Sequence, residues 1–150
     1  MGTLKKLRVS DSIRAQVSHP IPWTELEAAA RRAAAQSYSP YSRFKVGAAL
    51  WSDQGTIVVG TNVENASYGL TCCAERTAIF SAVTAGAQQV RAIVIYTPTP
   101  TPTTPCGACR QVLSEFGPGA EVRAICDSAE RIACRMEDLL PLPMGAANLR

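Results

Sequence analysis

Two short cysteine segments constrain this chain more than any other feature. Cys73-Ala74-Glu75 and Pro105-Cys106-Gly107-Ala108-Cys109 together offer three thiols and, two residues from one of them, a carboxylate. A Cys-x-x-Cys pair lets two thiolates converge on one ion from a single turn, and a third thiolate from elsewhere completes three protein ligands. Structural zinc sites usually fill all four tetrahedral positions with protein groups, whereas catalytic ones keep one for water. The fold must therefore carry Cys73 to Cys106 and Cys109, and the expected result is a hydrolytic zinc site with Glu75 as its acid/base group. A first-turn helix position also favours a carboxylate, but that explains the type of Glu75 and not its spacing from Cys73.

Both segments fall where the pattern starts a helix, and there free amide groups and the positive dipole end stabilise thiolates. Three thiolates around a divalent zinc leave a net negative charge, which weakens the metal as a Lewis acid and calls for compensation. Arg76 and Arg110 each directly follow a functional residue. Arg76 is expected to donate hydrogen bonds to ligand sulfurs; a surface ion pair is the alternative. Soft thiolates in tetrahedral geometry favour zinc, although three cysteines alone leave iron open.

With 150 residues, 47% hydrophobic and 18% charged, the chain has the size of one domain with a full core. Its net charge of +3 is supplied entirely by Lys5, Lys6, Arg8 and Arg14 against Asp11. From Pro20 onward the charges balance, which argues against a nucleic-acid channel and for a small-molecule substrate. No apolar run approaches the roughly 20 residues of a membrane span, and the N-terminus lacks the apolar centre of a secretory signal. A cytoplasmic protein with neither a membrane nor a nucleic-acid partner is expected. Six cysteines could in principle pair as disulfides, but a core-rich chain with CxxC spacing in a reducing compartment favours metal. Cys72, Cys126 and Cys134 are read as small buried hydrophobes.

Residues 1–20 mix polar and basic side chains without sustained periodicity and read as an arm. Thr24 is expected to cap a helix running to about Gln36, with Glu25 and Glu27 in its first turn. Ser37 to Ser42 reads as a turn. Phe44 to Trp51 and Thr56 to Asn62 are strand-like and are joined by the hairpin composition Ser52-Asp53-Gln54-Gly55. Val63 to Thr71 reads as a loop, and Cys72 to Ala85 as a helix with Gly86 past its end. Val90 to Tyr96, the most apolar segment, is placed at the sheet centre. Thr97 to Pro105, rich in Pro and Thr, is a loop bordering the site. Cys106 to Phe116 is helical, Glu121 to Cys126 and Arg131 to Cys134 are short strands, and Met136 to Leu140 is a last helical turn. This order makes an α/β layered domain with helices on both faces of a sheet.

Four segments carry a resemblance: Pro40-Tyr41-Ser42-Arg43-Phe44-Lys45-Val46-Gly47-Ala48-Ala49, Asn62-Val63-Glu64-Asn65-Ala66, Cys73-Ala74-Glu75-Arg76-Thr77-Ala78, and Pro105-Cys106-Gly107-Ala108-Cys109-Arg110-Gln111-Val112. In this order and at these separations the chain resembles the small cytidine deaminase family over about residues 22–145, in the form with an all-cysteine zinc site. Cys73 stands where many relatives have His.

The resemblance implies a three-layer α/β/α fold with a mixed five-stranded sheet, a catalytic domain over 21–150 after an N-terminal arm over 1–20, and one Zn2+ per subunit. The activity it implies is hydrolytic deamination of cytidine and 2′-deoxycytidine to uridine and 2′-deoxyuridine with release of ammonia, a pyrimidine salvage reaction. Zinc makes hydroxide available to attack C4, while Glu75 takes up and delivers protons. Asn62 and Glu64 match positions that hydrogen-bond ribose hydroxyls, and Phe44 matches one that packs near the nucleoside. Ala74 matches a residue whose backbone meets the base edge. Tyr68 resembles a residue that a neighbouring subunit supplies, which implies a homotetramer with shared active sites.

One departure is visible. Relatives often place a Phe over the base after the segment matching Leu139-Leu140-Pro141, and here Met144 aligns, which can fill apolar space without ring stacking. Two other readings remain. The first is a deaminase of another aminopyrimidine, such as a nucleoside antibiotic, a nucleotide or a base within RNA. Asn62 and Glu64 count against it, since Glu64 would repel a nearby phosphate and a polynucleotide reader should have a basic body. The second is a non-enzymatic zinc-stabilised module, which would need a fourth ligand. Cys72 is the natural suspect, but adjacent residues at a helix start point in different directions.

Overall fold

The strand Val90–Tyr96 organises the molecule, because an apolar run of this length is stable only with both faces covered. The computed structural model describes residues 20–149, so the arm assigned to residues 1–20 lies, apart from Pro20, outside them. The elements are α1 (Trp23–Ala35), β1 (Gly47–Ser52), β2 (Ile57–Thr61), α2 (Ala74–Thr84), β3 (Val90–Tyr96), α3 (Gly107–Phe116), β4 (Glu121–Ile125), β5 (Arg131–Arg135) and α4 (Met136–Leu139). One sheet runs in the order β2-β1-β3-β4-β5. Only β3 and β4 are parallel neighbours, and α3 forms the crossover they require. The mixed five-stranded sheet is the one expected, with β3 at its centre.

Alternation along the strands splits the core into two layers. Ile93 and Ile95 of β3, with Ala48 and Leu50 of β1, pack against α2, α3 and Met136 of α4. Ala92, Val94 and Tyr96, with Ala49, pack against Leu26, Ala29, Ala30 and Ala34 of α1. Two glycines bring helices directly onto strand backbone. A Cβ at Gly47 would lie 2.0 Å from the Ala30 carbonyl oxygen, and one at Gly60 would lie 2.3 Å from the Ala78 nitrogen. Gly60 thus seats α2, the helix that opens with the Cys73 segment, against β2.

Most boundaries fall within a residue or two of expectation, and two differ for identifiable reasons. Thr24 is not the helix cap. The helix starts at Trp23 with Pro22 in the cap position and no side-chain cap, and its first backbone bond runs from the Leu26 N–H to the Pro22 carbonyl at 2.9 Å. Trp23 itself is held by packing, with the Arg123 guanidinium 3.5 Å above its ring. The first strand begins at Gly47 rather than Phe44, because the Asn62 side chain takes the place of a strand neighbour for residues 44–46. The segment 63–71 is irregular apart from isolated bridges of Val63 to Tyr38 and Cys72 and a short 3-10 turn at Tyr68–Leu70. No helix among the described residues is long and apolar enough to cross a membrane.

Candidate metal and substrate site

Cys73 immediately precedes α2 and Cys106 immediately precedes α3, while Cys109 lies one turn into α3. The three sulfurs lie within 4.8 Å of one another, the one such group of potential ligands among the described residues. Tetrahedral zinc with Zn–S bonds of about 2.3 Å separates its sulfurs by about 3.8 Å. Cys73 Sγ and Cys106 Sγ are 3.9 Å apart, which matches that spacing, and Cys109 Sγ lies within 4.8 Å of both, so the three thiols suit such an ion. Cys72 stays outside the cluster: its sulfur accepts from the Thr77 hydroxyl at 3.7 Å. All six cysteines are free, and of the three outside the cluster Cys126 alone is fully buried, with Cys72 and Cys134 half-buried.

Electrostatics prepare the cluster for a cation. Cys73 is pulled down to about 5, chiefly by hydrogen bonding from Cys109 and then by Arg76 and Cys106, against the effect of burial. Cys109 moves up for the complementary reason, since it donates to the Cys73 thiolate and is itself desolvated. One thiolate is therefore already present, and metal binding displaces the remaining protons. Arg76 Nη2 donates to Cys73 Sγ at 3.4 Å and to the Thr71 carbonyl at 3.3 Å, which places a fixed positive charge against the cluster. Glu75, in the first turn of α2, is only 5% exposed. Burial is the main cause that raises its carboxyl above the usual range, with the Cys73 thiolate adding to the effect.

Glu75, Cys73 and Cys106 open onto a cavity of about 420 Å³ whose opposite wall carries Phe44, Asn62 and Glu64. Asn62 is buried. Its Oδ1 accepts from the Val46 N–H at 2.9 Å and from the Ser37 hydroxyl, and its Nδ2 donates to the Phe44 carbonyl at 2.8 Å. These bonds hold the 44–46 segment and, among the described residues, use one of the two amide N–H groups. Glu64 accepts from the Tyr41 N–H at 2.9 Å, the Ser42 N–H at 3.2 Å and the Ser42 hydroxyl. The Ser42 hydroxyl is also the chief cause holding the Glu64 carboxyl below the usual range. Phe44 belongs to neither core layer and lies on the cavity wall.

The metal cluster, buried carboxyl and cavity occur in a chain whose residues 24–126 match the family model described as the cytidine and deoxycytidylate deaminase zinc-binding region. A cytidine deaminase of Mycobacterium tuberculosis is 43% identical over 129 residues, 86% of this chain and 94% of that protein. One from Sporosarcina psychrophila is 49% identical over 96 residues, 64% of this chain and 71% of that protein. The crystal structure of cytidine deaminase from Burkholderia pseudomallei superposes with a TM-score of 0.77 at 47% identity, covering 81% of this chain and 98% of that one. The chain belongs to the cytidine and deoxycytidylate deaminase family. It carries that family's zinc-binding region, and Cys73, Cys106 and Cys109 are placed to hold the ion.

Three of the expected positions, Ala74, Tyr68 and Met144, are not among the residues whose side chains line this cavity. Ala74, fully buried, is the first residue of α2 and packs its side chain into the core. Tyr68, 75% exposed, lines an adjacent hollow with Tyr41, their ring centroids 6.0 Å apart. Met144 is exposed and outside the cavity, its carbonyl held by Gln111 Nε2 at 2.8 Å. Sequence reasoning gave no function to Ser42, Thr103 or Thr104, which line the cavity, and no contacts to Arg110. That guanidinium donates to the Pro105 carbonyl at 2.8 Å, the Leu139 carbonyl at 3.1 Å and Thr104 Oγ1 at 3.3 Å, tying the cavity rim to α4. The one local signal was the position of Arg110 next to Cys109.

Proposed function

We propose that this chain hydrolytically deaminates cytidine and 2′-deoxycytidine, releasing ammonia and the corresponding uridines, with Glu75 as the proton carrier and Cys73, Cys106 and Cys109 as zinc ligands. The observation that carries this reading is the three-thiol cluster sharing a cavity with a buried carboxyl whose affinity for protons is raised. When bound, zinc supplies the Lewis acidity that makes water nucleophilic near neutral pH. Glu75 accepts the proton of the attacking water, delivers a proton to the pyrimidine N3, and then assists departure of the C4 amino group as ammonia. A single carboxyl can alternate between base and acid here because desolvation makes its protonated form accessible. Arg76 offsets the negative charge of the thiolates.

At the far end of the cavity, the second amide N–H of Asn62 and the remaining lone pair of Glu64 take ribose hydroxyls, and Phe44 packs beside the nucleoside. The backbone at Ala74 meets the base edge. Glu64 disfavours a phosphate, so nucleosides are preferred to nucleotides. The exposed Tyr68 is contributed to a neighbouring copy in a homotetramer. Residues 21–150 act as one catalytic domain, and the free thiols suit a reducing, cytoplasmic setting.

The test is ammonia release from cytidine, 2′-deoxycytidine, CMP and cytosine by protein of known zinc content, with Glu75→Gln as control. Turnover confined to the two nucleosides and lost in the control supports the reading. No turnover of any of the four with zinc fully bound contradicts the substrate assignment.

A further inference from the structure

The Ser42 hydroxyl donates to one oxygen of Glu64 and accepts the Phe44 N–H at 3.0 Å, while the Tyr41 and Ser42 N–H groups donate to the other Glu64 oxygen. The whole Tyr41–Phe44 turn is thus wound around one carboxylate. Arg43, between Ser42 and Phe44, has a φ of 57°, a left-handed conformation that non-glycine residues adopt at a cost and keep only where surrounding bonds enforce it. This reversal lets Ser42 face Glu64 while Phe44 faces the metal cavity. Ser42 is itself exposed and packs into no core layer, so its side chain serves no burial role. Its single proton and one of its two acceptor sites are used within the turn, so the hydroxyl has no proton to offer a ligand, while the carboxylate still carries charge and an acceptor site.

We propose that Ser42 is a positioning residue for sugar recognition: by bridging Glu64 and the Phe44 backbone it fixes the carboxylate rotamer that meets the ribose hydroxyls. This rests on the nucleoside reading of the cavity. Without the hydroxyl, Glu64 keeps its two amide partners on one oxygen but loses the bond that orients the other, and the turn can relax toward an ordinary φ at Arg43. The effect falls on substrate capture, since neither Glu75 nor the thiols contact Ser42.

The experiment compares kcat and KM of wild type, Ser42→Ala, Ser42→Thr, Glu64→Gln and the Ser42→Ala/Glu64→Gln double variant with cytidine and 2′,3′-dideoxycytidine, with zinc content measured in each. Loss of a hydrogen bond to a charged group predicts a roughly tenfold rise in the cytidine KM for Ser42→Ala, with zinc content unchanged. Ser42→Thr, which keeps the hydroxyl, should restore KM. The penalty should shrink to less than about twofold with dideoxycytidine, and the double variant should be no worse than Glu64→Gln, because coupled residues are not additive. An equal penalty on both substrates, an additive double variant, or a Ser42→Ala KM like that of wild type overturns the inference while leaving the nucleoside reading in place. Absence of wild-type turnover on cytidine overturns both.

Discussion

The two ends of the cavity are built by different means. At the metal end, Cys73, Glu75, Cys106 and Cys109 sit on the first turns of α2 and α3, helices packed onto the sheet through Ala78, Ile79 and Leu113. Their placement follows from helix geometry and a buried core, and Gly60 lets α2 approach β2 at backbone contact distance. At the end proposed to take the sugar, Phe44, Asn62 and Glu64 sit on irregular chain held by side-chain hydrogen bonds between positions far apart in sequence. Rigid elements locate the thiols and the buried carboxyl, whereas the wall proposed to recognise substrate depends on a few polar side chains that also hold the loop together. Changes at the metal end should therefore alter chemistry with the fold intact, while changes at the sugar end should alter binding and local structure together.

Glu75→Gln breaks this division most sharply if it fails. The amide is nearly isosteric and the helix start does not depend on the carboxylate, so kcat should fall by about 10³-fold, within the range for loss of a general acid/base. Zinc content and melting temperature should stay at wild-type values, as metal analysis and calorimetry would show. Arg76→Ala comes next. It removes the bond to Cys73 and the one to the Thr71 carbonyl, and zinc affinity, read by competition with a chelator, should drop roughly 10–100-fold. Unchanged affinity would mean that the guanidinium only braces the Thr71 backbone.

Asn62→Ala probes the other end. It strips partners from the part-buried Val46 N–H and Phe44 carbonyl, and since water can reach this segment the loss should lie toward the low end of the roughly 1–3 kcal/mol that a buried unpaired group costs. The cytidine KM should rise roughly tenfold, and the melting temperature should fall by several degrees, at about 2–4 °C per kcal/mol for a chain of this size. A KM effect with no change in melting temperature would show that the amide serves the ligand alone. The smallest effect is in pH. The Glu64 carboxyl is lowered from its ordinary value of 4.5, so its hold on the Tyr41–Phe44 turn is complete above that value and is lost as pH falls through the lower folded-state value. The cytidine KM should stay flat from neutrality down to about pH 5 as far as Glu64 is concerned and rise below 4.5, and Glu64→Gln should remove that rise.

The same division governs what could be read from the sequence. The meeting of Cys73, Cys106 and Cys109, the central strand and the helices α2 and α3 are legible in sequence because their signals are local: CxxC spacing, an unbroken apolar run, glycine past a helix end. The start of β1 was misplaced because Phe44 to Val46 has strand-like composition, yet its polar backbone groups are met by the Asn62 amide, a partner 16 to 18 positions away. Thr24 looked like a cap because composition cannot show that the turn after Pro22 already satisfies the first helical bond. The three bonds of Arg110, reaching from Thr104 to Leu139, have no pattern in sequence at all. Local chemistry writes itself into spacing, and bonds between distant segments do not.

The most direct measurement of the central claim is ammonia release from cytidine while zinc is removed with a chelator and returned in measured amounts. The account predicts turnover that vanishes with the metal and recovers in proportion to it, saturating at one zinc per chain. Full turnover by zinc-free protein, or a fully loaded protein that leaves cytidine untouched, would contradict it.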